Sequence, residues 1–131
     1  MEKTYHGSCH CGAVRIECEI DLTKETSRCN CSICTKGRYW KSVIKPNAFR
    51  ILAGEQALTK YEFGEKIQHC FCSRCGIKPF GRVQWKGNEF YAINLACLDD
   101  ASPEELAAAP VRYQDGRHDN WDWTPAETRH L

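Results

Sequence analysis

Ten cysteines in a chain of 131 residues constrain what this sequence can fold into more than any other feature. Eight of them form three groups along the chain: Cys9 and Cys11; Cys29, Cys31 and Cys34; and Cys70, Cys72 and Cys75. The other two, Cys18 and Cys97, stand alone in apolar strand patterns, where we expect small buried side chains. Such an excess of cysteine is typical either of a disulfide framework or of metal binding.

The amino-terminal residues favour metal binding over disulfides. The stretch "MEKTYHGSCHCGAV" contains no apolar run long enough for a secretory signal or a membrane span. We therefore expect a cytoplasmic protein that does not associate with membranes. Because stable disulfides are rare in the reducing cytosol, metal binding or thiol chemistry is the favoured interpretation.

The overall charge argues against nucleic acid as a partner. The sequence has 18 Lys and Arg residues against 17 Asp and Glu residues, which gives a formal net charge of +1 and a pI of about 7.5. Binding to phosphates depends on clustered basic side chains. The near-neutral balance does not indicate such a cluster.

The spacing of apolar residues predicts a mainly β fold. In residues 14–20, apolar positions alternate with charged ones, which is the pattern of a half-buried strand. Six further predicted strands cover residues 38–44, 49–54, 58–63, 67–72, 78–85 and 89–98. The last two of these strands are predicted to form a hairpin, with Gly87 and Asn88 in its turn.

One short helix is predicted near the carboxyl end of the chain. Ser102 is a candidate N-cap, Pro103 suits the first helical position, and Glu105 has the spacing of a capping box. Pro110 ends the helix. The length of the chain suits one domain over residues 1–131, with no internal linker.

The grouped cysteines can be divided between zinc sites in two ways. In the first, each C-x-C-x-x-C group, at residues 29–34 and 70–75, takes one cysteine from the pair at positions 9 and 11, which would force two metals close together. In the second, that pair joins Cys72 and Cys75 in a closed site of four thiolates, and Cys70 is left over. The second division is simpler in its geometry.

The second division makes two sites that differ in kind. The four-cysteine cluster consists of Cys9, Cys11, Cys72 and Cys75, and the three-cysteine cluster of Cys29, Cys31 and Cys34. A closed site contributes folding energy, whereas a zinc ion with three protein ligands keeps an open position for Lewis-acid chemistry. Gly12 and Gly76 each follow a cysteine of the closed cluster and would allow the positive φ that a chain turning around a metal often needs.

Five motifs run in order from about residue 5 to about residue 123: "GSCHCGAVRI", "CNCSIC", "CSRCGIKPFGRV", "NLACLDD" and "DGRHDNW". Together they resemble the glutathione-dependent formaldehyde-activating enzyme family, which also contains the centromere protein V domain. The resemblance implies a β-tent fold of antiparallel sheets around zinc knuckles. It also implies two zinc ions per chain, a structural one at the four-cysteine cluster and a catalytic one at the three-cysteine cluster, the second of which a competing thiol could remove.

The resemblance further implies an activity. The enzyme that gives the family its name is a carbon–sulfur lyase that reversibly joins glutathione and formaldehyde to S-(hydroxymethyl)glutathione. We therefore expect a zinc-dependent enzyme acting on a thiol–aldehyde adduct, with Cys29, Cys31 and Cys34 as ligands of the catalytic zinc. Its partners would be a small thiol such as glutathione and an aldehyde.

Two other hypotheses belong to different classes of protein. The first is a zinc-stabilised binding module without enzymatic activity, which the centromere-associated relative suggests for the same fold. The second is a redox protein of the methionine sulfoxide reductase B kind. That protein would need a nucleophilic cysteine, and the metal scheme already uses the obvious ones.

Nine further residues are weaker candidates for the site. They are three basic residues (Lys36, Arg38, Lys41), two residues beside Cys72 (His69, Cys70) and four residues of the last motif (Arg117, His118, Asp119, Trp121). The basic set could bind a carboxylate of glutathione, although a solvated basic face is the simpler interpretation. The second set could ligate a metal or support its ligands, although packing or exposure explains it better. The third set either closes over the site or caps the sheet.

Overall fold

The structure of the protein, a computed structural model, describes residues 1–64 and 66–131. It is mainly β, as predicted, and ten strands form two sheets across the described residues. The strands are β1 (Lys3–Ser8), β2 (Arg15–Ile20), β3 (Thr26–Cys29), β4 (Trp40–Ile44), β5 (Phe49–Ala53), β6 (Leu58–Glu62), β7 (Ile67–Cys72), β8 (Phe80–Trp85), β9 (Asn88–Asn94) and β10 (Val111–Gln114).

The two sheets differ in size, and their strands alternate along the chain, because β5 of the small sheet lies between β4 and β6 of the large one. The small sheet has the order β1-β2-β5, and the large sheet has the order β10-β3-β4-β9-β8-β7-β6. Neighbouring strands are antiparallel except for β10 and β3, which run parallel and bring Gln114 beside Cys29. This parallel pair departs from the expected antiparallel sheets. It is possible because the long stretch between β3 and β10 supplies the crossover that parallel strands need.

The predicted hairpin forms between β8 and β9, but its turn lies one residue earlier than predicted. Trp85 pairs with Asn88, so the central turn residues are Lys86 and Gly87, with φ angles of 50° and 79°. Two positive φ angles are what a two-residue type I′ turn requires, and this turn matches the twist of the flanking strands. Asn88 is therefore the first residue of β9 and not a central turn residue.

The predicted helix is confirmed as α2 (Pro103–Ala108). The Ser102 hydroxyl accepts a hydrogen bond from the Glu105 N–H at 3.1 Å, and the Glu105 carboxylate accepts one from the Ser102 N–H at 2.9 Å. A second short helix, α1 (Ser32–Gly37), was not predicted. It buries none of its side chains, so it lacks the apolar periodicity by which a helix is recognised in sequence.

The two sheets share one hydrophobic core. The ring of Phe49 in the small sheet lies 4.7 Å from the ring of Phe80 in the large sheet, measured between centroids. Because side chains alternate along a strand, the large sheet has a second face. In β7, Cys70 and Cys72 face the core, whereas His69 lines a cavity on the opposite side.

The two isolated cysteines are buried side chains, as predicted. Cys18 is fully buried in the core, and Cys97 is buried in the 3-10 turn Leu95–Cys97 after β9. All ten cysteines lie in the described part of the chain, and none of them is in a disulfide. Neither described α-helix has the length and the apolar character that a membrane-crossing helix requires.

Candidate functional site

The four-cysteine cluster is assembled from two loops that belong to different sheets. Cys9 and Cys11 lie in the loop between β1 and β2, whereas Cys72 ends β7 and Cys75 follows it before β8. The four Sγ atoms lie within 4.8 Å of one another. Because β1 and β2 belong to the small sheet and β7 and β8 to the large sheet, this cluster joins the two sheets.

The dimensions of the four-cysteine cluster fit a tetrahedral metal ion. The Sγ atoms of Cys9 and Cys11 are 3.7 Å apart, and so are those of Cys11 and Cys72. Zinc–sulfur bonds of about 2.3 Å place neighbouring thiolates about 3.8 Å apart in a tetrahedron. The N–H group of Val14 donates a hydrogen bond to the sulfur of Cys9, and that of Arg74 donates one to the sulfur of Cys72, both at a distance of 3.3 Å. Such donors favour the thiolate form.

The backbone around the four-cysteine cluster has the predicted conformation. Gly12 and Gly76 have φ angles of 80° and 78°, a region that side chains with a Cβ rarely adopt. These turns aim N–H groups at the sulfur atoms. Backbone hydrogen bonds from Cys11 and Ile77 lower the pKa of the Cys75 thiol to about 6.

The three-cysteine cluster lies at one end of β3 and belongs to the large sheet alone. Cys29 ends β3, Cys31 is the N-cap of α1, and Cys34 lies within α1. Their Sγ atoms also lie within 4.8 Å of one another. The start of helix α1, which was not predicted, therefore helps to bring the sulfur atoms of these three closely spaced cysteines together.

The three thiols of this cluster strongly affect one another's ionisation. Hydrogen bonds from the thiols of Cys29 and Cys34 lower the pKa of Cys31, and the N–H of Cys34 adds to this effect. Hydrogen bonds with Cys29 and Cys31, together with burial, raise the pKa of Cys34. A set of sulfur atoms that shares negative charge in this way is suited to a soft or borderline cation such as zinc.

Asn30, between two cysteines of the cluster, connects the motif at residues 115–121 to this site. Its side-chain amide donates to the Asp115 carboxylate at 2.7 Å, and its carbonyl oxygen accepts from the Arg117 N–H at 2.9 Å. The hydrogen bond from Asn30 is the main reason that the pKa of Asp115 is lowered. Asn30 is itself buried, so this two-point contact holds the carboxyl-terminal loop over β3.

Gly116 brings that loop into direct contact with the three-cysteine cluster. A Cβ atom at this position would overlap the Sγ of Cys29 and would lie 2.6 Å from the ring of Trp121. Only a residue without a side chain therefore allows this approach. Trp121 lines the same cavity as the cluster, so part of the last motif closes over the site.

A cavity of about 420 Å³ opens beside the three-cysteine cluster, on the face of the large sheet that points away from the core. All three cysteines of the cluster line it, and those of the four-cysteine cluster do not. The rest of its wall combines apolar side chains with lysines. Its members include Tyr39, Lys41, Phe63, Lys66, Lys78 and Trp121.

Two polar residues of the cavity wall, Lys78 and His69, contact each other. The Nζ atom of Lys78 makes a short hydrogen bond to Nδ1 of His69 and lies 3.9 Å from the centre of the Tyr39 ring. Burial lowers the pKa of Lys78 to about 8 and that of His69 to about 4. The sequence analysis missed Lys78 and Tyr39, because no local pattern distinguishes a lysine that enters a cavity from one on the surface.

The structure separates the weaker basic candidates. Lys41 lines the cavity and donates to the Gln114 side chain at 3.2 Å. Lys36 is exposed on α1 and does not line the cavity. The guanidinium of Arg38 donates to the carbonyl of His130 at 3.3 Å and is also outside the cavity.

The other weaker candidates also divide. Cys70 is buried in the core and belongs to neither cysteine cluster. His69 is buried in the cavity wall and is likewise in neither cluster. His118 is exposed and pairs with Asp115 at 2.9 Å.

The fold and the site together define a class, a mainly β protein with two thiol clusters that could hold metal ions, one of them in a cavity wall. The chain belongs to the family described as "Glutathione-dependent formaldehyde-activating enzyme", whose family model matches residues 4–115. The resemblance in the sequence motifs is thereby confirmed.

Two similar proteins place the chain among known sequences and structures. A Talaromyces marneffei protein that bears the same family name is 28% identical over 109 residues, which cover 76% of this chain and 58% of that protein. The chain thus spans somewhat more than half the length of this relative. A Rhodobacter sphaeroides protein of known crystal structure is 33% identical, with a TM-score of 0.70, and the match covers 82% of this chain and 99% of the other.

Proposed function

We propose that the protein is a zinc-dependent enzyme of the carbon–sulfur lyase type that acts on a thiol–aldehyde adduct. Its reaction would be the reversible joining of glutathione and formaldehyde to S-(hydroxymethyl)glutathione. The observation that carries this proposal is the position of the three-cysteine cluster in the wall of the cavity of about 420 Å³. A cluster with three ligands beside a cavity differs from the closed four-cysteine cluster in the way that catalytic and structural zinc sites differ.

Both clusters fit zinc by the chemistry of their donors. Cys9, Cys11, Cys72 and Cys75 would hold a structural ion, and Cys29, Cys31 and Cys34 a second one. When bound to the second site, zinc would supply Lewis acidity and stabilise negative charge on a sulfur or oxygen ligand. The two sheets share one core, which supports treating residues 1–131 as a single zinc-binding domain.

The residues of the cavity would bind and orient the two reactants. Phe63 and Trp121 supply apolar parts of the cavity wall, and the amines of Lys41 and Lys66 would offer charge for the carboxylates of a thiol such as glutathione. Holding a thiol and an aldehyde together can itself accelerate a reaction that already proceeds unaided. We therefore expect a modest acceleration whose size depends on positioning.

Exchange NMR of glutathione with formaldehyde, with and without the protein, tests the proposed activity. We expect the exchange rate between free and hydroxymethylated glutathione to rise in proportion to protein concentration. The matched control is Cys31→Ser, which should keep the fold but lacks one ligand of the three-cysteine cluster. Absence of acceleration by a zinc-loaded, folded sample would overturn the proposal and leave the binding-module hypothesis or another substrate.

A further inference from the structure

We propose that Lys78 is an aldehyde-binding residue, whose Nζ atom forms a reversible covalent bond to the carbonyl carbon of an aldehyde in the cavity. The choice of an aldehyde rests on the proposed function. The choice of Lys78 rests on the residues that surround its amine in the structure. No metal ligand takes part in the bond.

Lys78 reaches the cavity from the segment just before β8. Its side chain is half-buried and lines the same wall as the three-cysteine cluster. Its carbonyl oxygen accepts hydrogen bonds from the Asn94 side chain at 2.9 Å and from the Cys97 thiol at 3.7 Å. These two hydrogen bonds fix the position of the Lys78 backbone, from which the side chain extends to the cavity.

The amine of Lys78 has no carboxylate partner among the described residues. Its close neighbours are the Nδ1 atom of His69 and the face of the Tyr39 ring, whose centre lies 3.9 Å from Nζ. Neither neighbour carries a full negative charge. A lysine in this setting favours its neutral form more than a lysine in water does.

The charges around Lys78 act in both directions, and burial outweighs them. Loss of solvent is the largest effect on its pKa, and the positive charge of Lys41 adds to it. The thiols of Cys34, Cys70 and Cys31 act the other way. The resulting pKa is about 8, so about a tenth of the amine is neutral at pH 7.

His69 orients the amine of Lys78 through a hydrogen bond, but it has no negative charge that would stabilise the protonated form of that amine. Its ring stacks on Phe63, with the centroids 5.7 Å apart and the planes at 9°. Burial lowers its pKa to about 4, so the imidazole is neutral and its Nδ1 can accept a hydrogen bond from Lys78. Both side chains line the cavity, where a small carbonyl compound would bind.

The bond-forming step is balanced without any oxidant or reductant. The lone pair of the neutral amine forms an N–C bond, the π electrons of the carbonyl move to its oxygen, and one proton passes from nitrogen to oxygen to give a carbinolamine. The hydroxyl group takes a proton from solvent and leaves as water, while the nitrogen lone pair forms the C=N bond of an iminium ion. Addition of water reverses both steps and returns the aldehyde and the amine unchanged.

Reductive trapping with formaldehyde tests this inference on the full chain. The protein is treated at pH 7 with a limiting amount of formaldehyde and with cyanoborohydride, which transfers hydride to an iminium ion and leaves a methylated lysine. No glutathione is added. Mass spectrometry of the digested protein then ranks the lysines by their rate of methylation.

We expect Lys78 to be methylated at least about tenfold faster than Lys60 and Lys86, which are exposed. Lowering an amine pKa from 10.5 to about 8 raises its neutral fraction at pH 7 by a few hundredfold, and its lower basicity offsets part of this gain. Lys78→Arg should remove the fast phase, because arginine keeps the charge but forms no iminium ion. Lys86→Arg is the matched control and should keep the fast phase, because Lys86 is exposed outside the cavity and lies over the ring of Trp85 at 5.8 Å.

The ranking within the wild-type protein decides the matter even if a variant does not fold. Methylation of Lys78 no faster than that of Lys60 would overturn the inference. A fast phase that persists in folded Lys78→Arg would overturn it as well. Fast trapping without any glutathione exchange would leave this inference standing and reject the proposed function, whereas exchange without fast trapping would do the reverse.

Discussion

At the scale of the residue, the closeness of Gly116 to Cys29 shows how much the three-cysteine cluster depends on atoms outside it. The loop that carries Gly116 is held by the two hydrogen bonds of Asn30, and its backbone lies against the Cys29 sulfur and the Trp121 ring. A methyl group has no room in this contact. The spacing of the cysteines says nothing about this loop, which follows them by more than eighty residues in sequence.

Gly116→Ala should therefore push the carboxyl-terminal loop away from the cluster. We expect a loss of about 1–3 kcal/mol in the free energy of unfolding, which is typical of overpacking, and weaker retention of metal by the three-cysteine cluster. Denaturant unfolding and metal analysis after dialysis measure the two effects. Gly37→Ala is the control, because a Cβ there meets no atom within 4 Å. Equal behaviour of the two variants would contradict the assigned contact.

At the scale of the element, helix α2 is joined to β1 by one carboxylate. Glu105 completes the capping box and also accepts hydrogen bonds from the Lys3 amine at 2.8 Å and the Tyr5 hydroxyl at 2.7 Å. The ion pair with Lys3, the Ser102 N–H and the Tyr5 hydroxyl lower the pKa of Glu105 to about 2. A helix of six residues is too short to be stable alone, so this link to the sheet stabilises it.

The lowered pKa of Glu105 gives its contribution a defined pH dependence. Because the folded pKa of about 2 lies below the ordinary value of 4.5, the ionised form stabilises the fold fully above pH 4.5, and this stabilisation is lost as the pH falls toward 2. Glu105→Gln keeps a capping side chain but loses the charge. We expect its Tm to lie below that of the wild type at pH 7 and the gap to narrow by pH 3.

Thermal unfolding at both pH values measures this gap, and two variants serve as controls. Glu104→Gln removes the neighbouring exposed carboxylate and should leave Tm nearly unchanged. Ser102→Ala should cost about 1 kcal/mol at either pH, because its hydroxyl cap does not titrate in this range. A gap for Glu105→Gln that stays constant from pH 7 to pH 3 would refute the assigned role of the charge.

At the scale of the whole molecule, the two cysteine clusters occupy different mechanical positions. The four-cysteine cluster joins a loop of the small sheet to a loop of the large sheet, whereas the three-cysteine cluster draws on the large sheet alone. A metal in the first would connect two sheets that otherwise meet through their core. A metal in the second would only close the wall of a cavity.

Loss of one ligand should therefore have opposite consequences at the two clusters. We expect Cys72→Ser to unfold the protein, since a structural zinc site supplies folding energy and Cys72 is fully buried. Cys31→Ser and Cys34→Ser should remain folded, lose one equivalent of zinc and lose thiol–aldehyde activity. Circular dichroism and metal analysis of the purified variants distinguish these results. Two full zinc equivalents in Cys31→Ser, or none in the wild type, would be incompatible with the assignment.

Much of the fold follows from short-range patterns in the sequence. Strand β7 begins and ends at the residues predicted from "IQHCFC", and Ser102, Pro103 and Glu105 cap α2 as expected. The positive φ angles of Gly12 and Gly76 were also expected from their place after cysteines. The turn between β8 and β9, at Lys86 and Gly87, was predicted one residue too late, which shows the limit of short-range patterns. The register of the strands, and not the identity of one residue, decides where a tight turn begins.

The sequence by itself determined the three groups of closely spaced cysteines, because the spacing within a group is a local property of the chain. It also determined that the chain is mainly β, since alternation of apolar and polar residues is local too. Only the tertiary structure decided that Gly116 and Trp121 close over Cys29, and that Lys78 meets His69 in the cavity. These contacts depend on which strands become neighbours and which face each side chain takes. The local sequence "IKPF" around Lys78 does not indicate that folding buries the side chain of this lysine.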